Sequence, residues 1–350
     1  MGLPIRNLSW VTNTNSNIGI DLTMFNNKLS VELDYFNKVT DDILLELDIP
    51  GHQGAGDNVR TWFNAASVVN RGLEWNISWQ ETKGDFYYRV GFNGNTLHNE
   101  VLEVNEFTDS DEGDVLIGGS LGNGQLVTRS VKGVAIGSFY GYNVLGVFQN
   151  QGEVDNSATL GTQVPGDLKF EDVNGDGIID DLDRVFIGSY IPDVIGGLNL
   201  EAGYKAFSIN LDFYGVLGNE LYNGKNAVRP DLYNFEIQAY DYWRGEGTSN
   251  AEPRPTSGGT NYQPSTYFVQ NGSYLRLRSA TLGYDLPAKW TERFSISAAN
   301  VYLRGTNLFT LSKFTGYSPD FGSSSAIASG IDLGVYPQTR VISAGLNVTF

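Results

Sequence analysis

The chain contains no cysteine, so disulfide cross-links and thiolate metal sites are both excluded. It has only two histidines, His52 and His98, neither within sequence reach of a second candidate ligand, and that argues against a zinc centre. Basic residues are scarce as well. Against 40 acidic side chains stand 23 lysines and arginines, for a formal charge of -17, which repels phosphate backbones and excludes nucleic acid as the natural partner. No apolar run approaches the ~18 residues that a membrane-crossing helix needs. The opening "MGLPIRNLSW" has neither the basic nor the apolar region of a signal peptide. A transmembrane β-barrel also lacks apolar runs, because its strands alternate and average out as polar.

Alternation is what the sequence has instead. Ile18, Ile20, Leu22 and Met24 oppose Gly19, Asp21 and Thr23, and after Asn26-Asn27 the chain returns through Leu29, Val31, Leu33 and Tyr35. This predicts a hairpin with a two-residue Asn turn. A second hairpin runs through Leu73, Trp75, Ile77 and Trp79, turns at Thr82-Lys83-Gly84 and returns from Phe86 to Phe92. A third pairs Leu198 to Tyr204 with Phe207 to Phe213. Three more strands follow, near 273–285, 298–310 and 340–350. In "SYLRLRSATLGYDL" Leu275 and Leu277 fall out of phase with Ala280, Leu282 and Tyr284, which predicts a bulge near Ser279.

The count is about nine strands of roughly ten residues, where soluble strands peak near five or six. Their connections are short at one end and long at the other, the long segments being 39–71, 99–195, 217–272 and 311–339. That asymmetry is the sidedness of an outer-membrane barrel, with tight periplasmic turns and large extracellular loops. "VAIGSFYGYNVLGVF" inside 99–195 is strand-like, and parity requires it to be loop structure or one of an added pair. Aromatics such as Trp79, Phe86, Tyr88, Tyr204, Phe207, Tyr284 and Trp290 gather where strands meet turns, as in an interfacial belt. The expected class is therefore all-β: part of an antiparallel transmembrane β-barrel with long extracellular loops. Polar Asp21, Glu32, Glu74, Asn76, Glu201, Asn210 and Asp212 should line its lumen.

One local motif carries metal chemistry. In "DVNGDGIIDDLD", 172–183, the oxygens of Asp172, Asn174, Asp176, Asp180 and Asp183 and the carbonyl of Ile178 occupy the ligand positions of a calcium loop, and Gly177 permits the sharp turn. Calcium is the expected ion. Catalytic signatures are weak. "GGSLG" around Ser120 fits G-x-S-x-G, yet both histidines precede it, and no glycosidase carboxylate pair can be identified. The protein is not expected to be an enzyme. Among loop aromatics, Trp62, Tyr140, Tyr142, Tyr222 and Trp243 are candidates to stack on a ligand.

Taken together, "NIGIDLTMFNNKLSVELDYFNKVTDDIL", "NAASVVNRGLEWNISW", "PGDLKFEDVNGDGIIDDLDRVFIGSYIPDVIGGLNL", "SYLRLRSATLGYDLP" and "VYLRGTNLFTL" resemble the C-terminal half of SusC/RagA-type TonB-dependent outer-membrane transporters. The resemblance spans almost all of residues 1–350. It implies a place in a barrel of about 22 strands, a plug inside it, a SusD-like lipoprotein lid, TonB as energy source, and oligosaccharides or peptides as cargo. The final strand with Phe350 resembles the terminal signal of outer-membrane clients. Signal peptide, TonB box and plug are expected to be absent from this stretch. The alternative is a secreted, soluble, calcium-stabilised β-sandwich that binds carbohydrate.

Overall fold

The computed structural model describes residues 8–48, 60–104, 115–228, 240–291, 293, 295–322 and 325–350. The first strands are β1 (Thr12–Met24), β2 (Leu29–Asp48), β3 (Arg60–Lys83), β4 (Phe86–Thr96) and β5 (His98–Val104). A middle group follows: β6 (Leu116–Ser120), β7 (Leu126–Ser130), β8 (Ser138–Gly141), β9 (Val144–Val147), β10 (Leu168–Phe170) and β11 (Val185–Gly188). The last are β12 (Val194–Tyr204), β13 (Phe207–Leu217), β14 (Glu220–Tyr222), β15 (Val269–Asn271), β16 (Tyr274–Asp285), β17 (Ala298–Ser312) and β18 (Val341–Thr349).

One antiparallel wall dominates, in the order β1-β2-β3-β4-β12-β13-β16-β17-β18, with β5 added to the upper part of β3. These nine are the strands that alternation predicts. The expected bulge is present: register shifts between Leu277 and Ser279 against β17, and between Asp212 and Phe213 where β13 meets β16.

The turns need correction. β1 and β2 are joined by four residues rather than two, with Phe25, Asn26 and Asn27 all at positive φ, and the Lys28 amide returns to the Phe25 carbonyl. The two asparagines tolerate that left-handed backbone better than most residues. The second turn is Gly84-Asp85, one step beyond the expected 82–84. The segment 39–71 is mostly not loop: β2 runs to Asp48 and β3 begins at Arg60. "VAIGSFYGYNVLGVF" forms β8 and β9 in small sheets of their own, so the parity of the wall is preserved.

The distribution of apolar side chains is inverted relative to a water-soluble domain. On one face of the wall Ile18 (73% exposed), Phe207 (65%) and Ile342 (68%) stand open to solvent. The largest fully buried side chains, Tyr222, Phe139, Phe148, Phe268, Leu116 and Leu168, all lie in the long connections. The core of this chain is in its loops. Such a wall is stable only if something apolar covers its outward face.

Aromatic rings band the turn end of that face. Register brings Phe86, Tyr204, Phe207 and Tyr284 side by side across four strands, with the last two rings 4.8 Å apart. Trp79 donates its indole N–H to the Tyr88 hydroxyl at 3.1 Å one row away.

Candidate functional site

The opposite face of the wall is polar in continuous rows. Directly paired positions give Asp21, Glu32, Asn76 and Asn93 in one row, and Gly19, Asp34, Glu74 and Asn95 in the next. Nearer the turns a third row runs Gln80, Arg89, Glu201, Asn210, Thr281 and Arg304. Asp21 faces Glu32 and Asp34 faces Glu74, like charges directly opposite, an arrangement that costs stability in an ordinary sheet and is tolerated where water reaches both groups.

A hollow of about 460 Å³ lies over these rows, lined among others by Glu32, Asp34, Glu74, Asn76, Asn93 and Arg278. Asn76 donates to Glu32 at 2.9 Å, and Arg278 is held by Asp212 at 2.7 Å. Carboxylates, carboxamides and an arginine at this density can exchange hydrogen bonds with hydroxyls or peptide groups of a passing ligand. All seven lumen candidates from the sequence fall on this face. Sequence reasoning missed the basic members. Arg276, 5% exposed, donates to Asp320 at 2.6 Å, Gln338 at 2.7 Å and Thr310 at 3.0 Å, tying β16 to the 311–339 connection. The bulge shifts the phase of "LRLR" and hides it from a simple alternation count.

Above the wall the long connections interlock. Asp167, buried, accepts from Arg254 Nε at 2.8 Å and from Asn261 Nδ2 at 3.0 Å, joining 99–195 to 217–272. Thr128 Oγ1 donates to the Ile327 carbonyl at 2.5 Å, joining 99–195 to 311–339.

The loop aromatics divide by burial. Tyr142 and Tyr222, 3% and 0% exposed, pack the loop cores and present no ring face. Tyr222 is wedged between Phe139 and Phe268. Burial, and then the charge of Asp181, push the Tyr142 hydroxyl up to about 12. Trp243 is half-buried over Gly166, whose backbone leaves no room for a side chain: a Cβ there would lie 2.5 Å from the indole. Tyr140 is half-buried between two guanidiniums, Arg129 at 4.0 Å and Arg184 at 5.2 Å from the ring centre. Trp62, half-exposed on β3, offers the most ring surface of the five.

The 172–183 loop curls through its own side chains. Asp172 accepts the amides of Gly175 at 2.7 Å and Gly177 at 2.9 Å, Asn174 accepts that of Asp176, and Asp176 that of Ile178. Asp183, fully buried, accepts from Val173 at 2.8 Å and from Asp180 at 2.9 Å, closing the two ends of the loop. Among the described residues no group of three or more His, Asp or Glu side chains converges at metal distance. Each carboxylate oxygen has a second lone pair, so these amide contacts leave acceptors on every group.

Ser120 gains no partner base: its hydroxyl turns to the Leu121 carbonyl, while His98 sits 3.3 Å from Glu100. His52 lies outside the described residues.

No family model matches the chain. Known relatives are nonetheless clear. Two TonB-dependent receptors of Formosa agariphila are 33% identical over 357 residues and 31% over 363, each match covering 98% of this chain. The TonB-dependent receptor SusC of Bacteroides thetaiotaomicron is 30% identical over 356 residues, again covering 98%. The chain belongs to the TonB-dependent receptors of the SusC/RagA type. It spans about a third of their length, 35%, 34% and 32% respectively, and matches their C-terminal part. Among solved folds, the RagAB peptide transporter superposes with a TM-score of 0.76 at 22% identity, over 98% of this chain and 35% of that one. The closed-closed state of the RagAB peptide importer gives 0.74 at 23% identity, covering 98% and 36%. These likenesses establish the antiparallel barrel fold.

Proposed function

We propose that this chain is the C-terminal barrel wall of an outer-membrane importer that takes up oligosaccharides or peptides, is energised through TonB and is covered by a SusD-like lipoprotein lid. The two-faced wall carries this reading. Its outward rows are apolar and open, its turn end is ringed by aromatics, its inward rows are polar, and its interlocked loops crown the opposite end. The soluble-sandwich alternative needs a second sheet on the apolar face, and among the described residues the wall has none there.

The chain's part in transport is passive: it shapes and solvates a passage, and no reaction is assigned to it. Trp62, half-exposed on β3, is the aromatic whose placement best supports ligand stacking, whereas the Tyr140 ring is already engaged by Arg129. For calcium, the 172–183 loop would supply the carboxylates of Asp172, Asp176, Asp180 and Asp183, the Asn174 side chain and the Ile178 carbonyl, groups that would have to draw together around the ion. Bound there, the ion would neutralise acidic charge and fix the loop's curl.

The full-length receptor should fractionate with the outer membrane, migrate faster on gels unless boiled, and take up labelled oligosaccharides or peptides only when TonB is present. A product soluble without detergent would overturn this reading. Calcium should raise the melting temperature of the receptor's loops, and Asp172→Ala should abolish the shift; identical titrations would remove the ion from the account.

A further inference from the structure

On the outward face, near the aromatic band, small side chains open a depression in an otherwise large-residue surface. Register places Tyr88, Ala202, Ile209, Leu282, Leu303 and Ala344 in one row across six strands, with Ala202 and Ala344 on either side of the three larger aliphatic residues. The row below it carries Phe86, Tyr204, Phe207 and Tyr284. Members of both rows, Tyr88 excepted, line an open hollow of about 610 Å³. Its polar exit is the two-residue turn Lys205-Ala206, where Lys205 adopts positive φ and holds its ammonium 5.3 Å from the Tyr204 ring centre.

Around this exit charges of both signs stand close together, Lys83 and Lys205 beside Glu81, Asp85 and Asp285. Lys83 ends β3 beside the neighbouring turn, 73% exposed and 3.5 Å from Glu81, and Asp85 is the carboxylate of that turn. Lys83 is engaged by Glu81, and Lys205 sets its ammonium beside Tyr204, which lines the hollow. A greasy groove that ends in an aromatic rim and an ammonium has the chemistry of a lipid molecule: hydrocarbon inside, an anionic headgroup at the lip.

We infer that the hollow bounded by Phe86, Ala202, Tyr204, Phe207, Leu282 and Leu303 is a binding site for one acyl chain of an anionic glycerophospholipid whose phosphate is held by Lys205. The inference rests on the membrane reading above and adds a specific lipid to it. The alternative occupant, bulk zwitterionic lipid without preference, is an outcome of the test.

The test uses the full-length receptor reconstituted in nanodiscs of mixed phosphatidylglycerol and phosphatidylethanolamine, then extracted in mild detergent for native mass spectrometry. Retained phosphatidylglycerol should be enriched over its bulk fraction. Lys205→Glu should cut that enrichment about fivefold, the factor that one basic side chain contributes near an anionic surface. Ala202→Trp should fill the groove and displace the lipid altogether. Lys205→Gln guards against a folding defect in the charge reversal, and heat-modifiable migration verifies the barrel in each variant. Equal retention in wild type, Lys205→Glu and Ala202→Trp, or retention that mirrors the bulk mixture, overturns the lipid site while leaving the membrane reading intact. Failure of wild type to enter nanodiscs overturns the membrane reading itself.

Discussion

Two neighbouring residues on β4 should respond very unequally to the same substitution. Phe92 is 46% exposed on the outward face, and Asn93, the next residue, lines the polar hollow. Phe92 lies six positions from Phe86, which marks the aromatic band. At ~3.3 Å per residue and a tilt near 45°, that is ~14 Å along the membrane normal, close to the middle of an apolar band ~25 Å tall. Arginine on the lipid face at that depth costs about 2–4 kcal/mol. Phe92→Arg should therefore lower the folded-to-unfolded ratio roughly 30- to 700-fold. Asn93→Arg places the same charge near Glu32 and Glu74 in a wetted face, and should change stability by less than about 1 kcal/mol. Urea unfolding of the full-length receptor in lipid vesicles, read by tryptophan fluorescence and gel mobility, measures both. Equal costs, or a larger cost at Asn93, would mean that the two faces have been assigned the wrong way round.

Two further outcomes follow from the loop assembly. Asp167→Ala orphans the buried Asn261 amide and releases Arg254, so the loops should lose about 1–3 kcal/mol of local stability and exchange amide hydrogens faster, while heat-modifiable migration of the barrel stays unchanged. Tyr142, pushed up to about 12, is favoured in its neutral form by folding. Its contribution is complete below pH 10 and is lost as pH rises from 10 through 12, so alkaline melting of the loops should begin in that window, and Tyr142→Phe should blunt it when followed by phenolate absorbance.

The wall was legible in the sequence because each strand has one face in hydrocarbon and one in water, which imprints a period of two. Where that contrast vanishes, so does the signal. Ala65, Ala66 and Val68 of β3 pack with Val101 and Val104 of β5, with Leu116, Ile136 and Ile327, and with Ile43 and Leu45 of β2, so the upper hairpin reads as irregular although it is extended. β6 to β11 have three to five residues each, too few to show a period. The candidate site was half legible. Acidic and amide residues in clean strands could be placed by parity, whereas Arg276 and Arg278 sit beside a bulge that resets it. Tyr140 and Tyr222 look alike in sequence, and only their neighbours decide that one borders two guanidiniums while the other is core. The Asp, Asn and Gly spacing of 172–183 marked where the chain curls, and its aspartates are engaged with amides of that same loop.

The β2–β3 hairpin, 20 and 24 residues long, is about twice what a bilayer crossing requires. Its register shifts twice, on either side of Ile43, and Asn64 staples this stretch, its amide group donating to the carbonyls of Asp42 and Ser9 at 2.9 and 3.0 Å. The exterior half is thereby held by side-chain as well as ladder hydrogen bonds. A hinge built into this hairpin would have to begin by cutting Asn64 out.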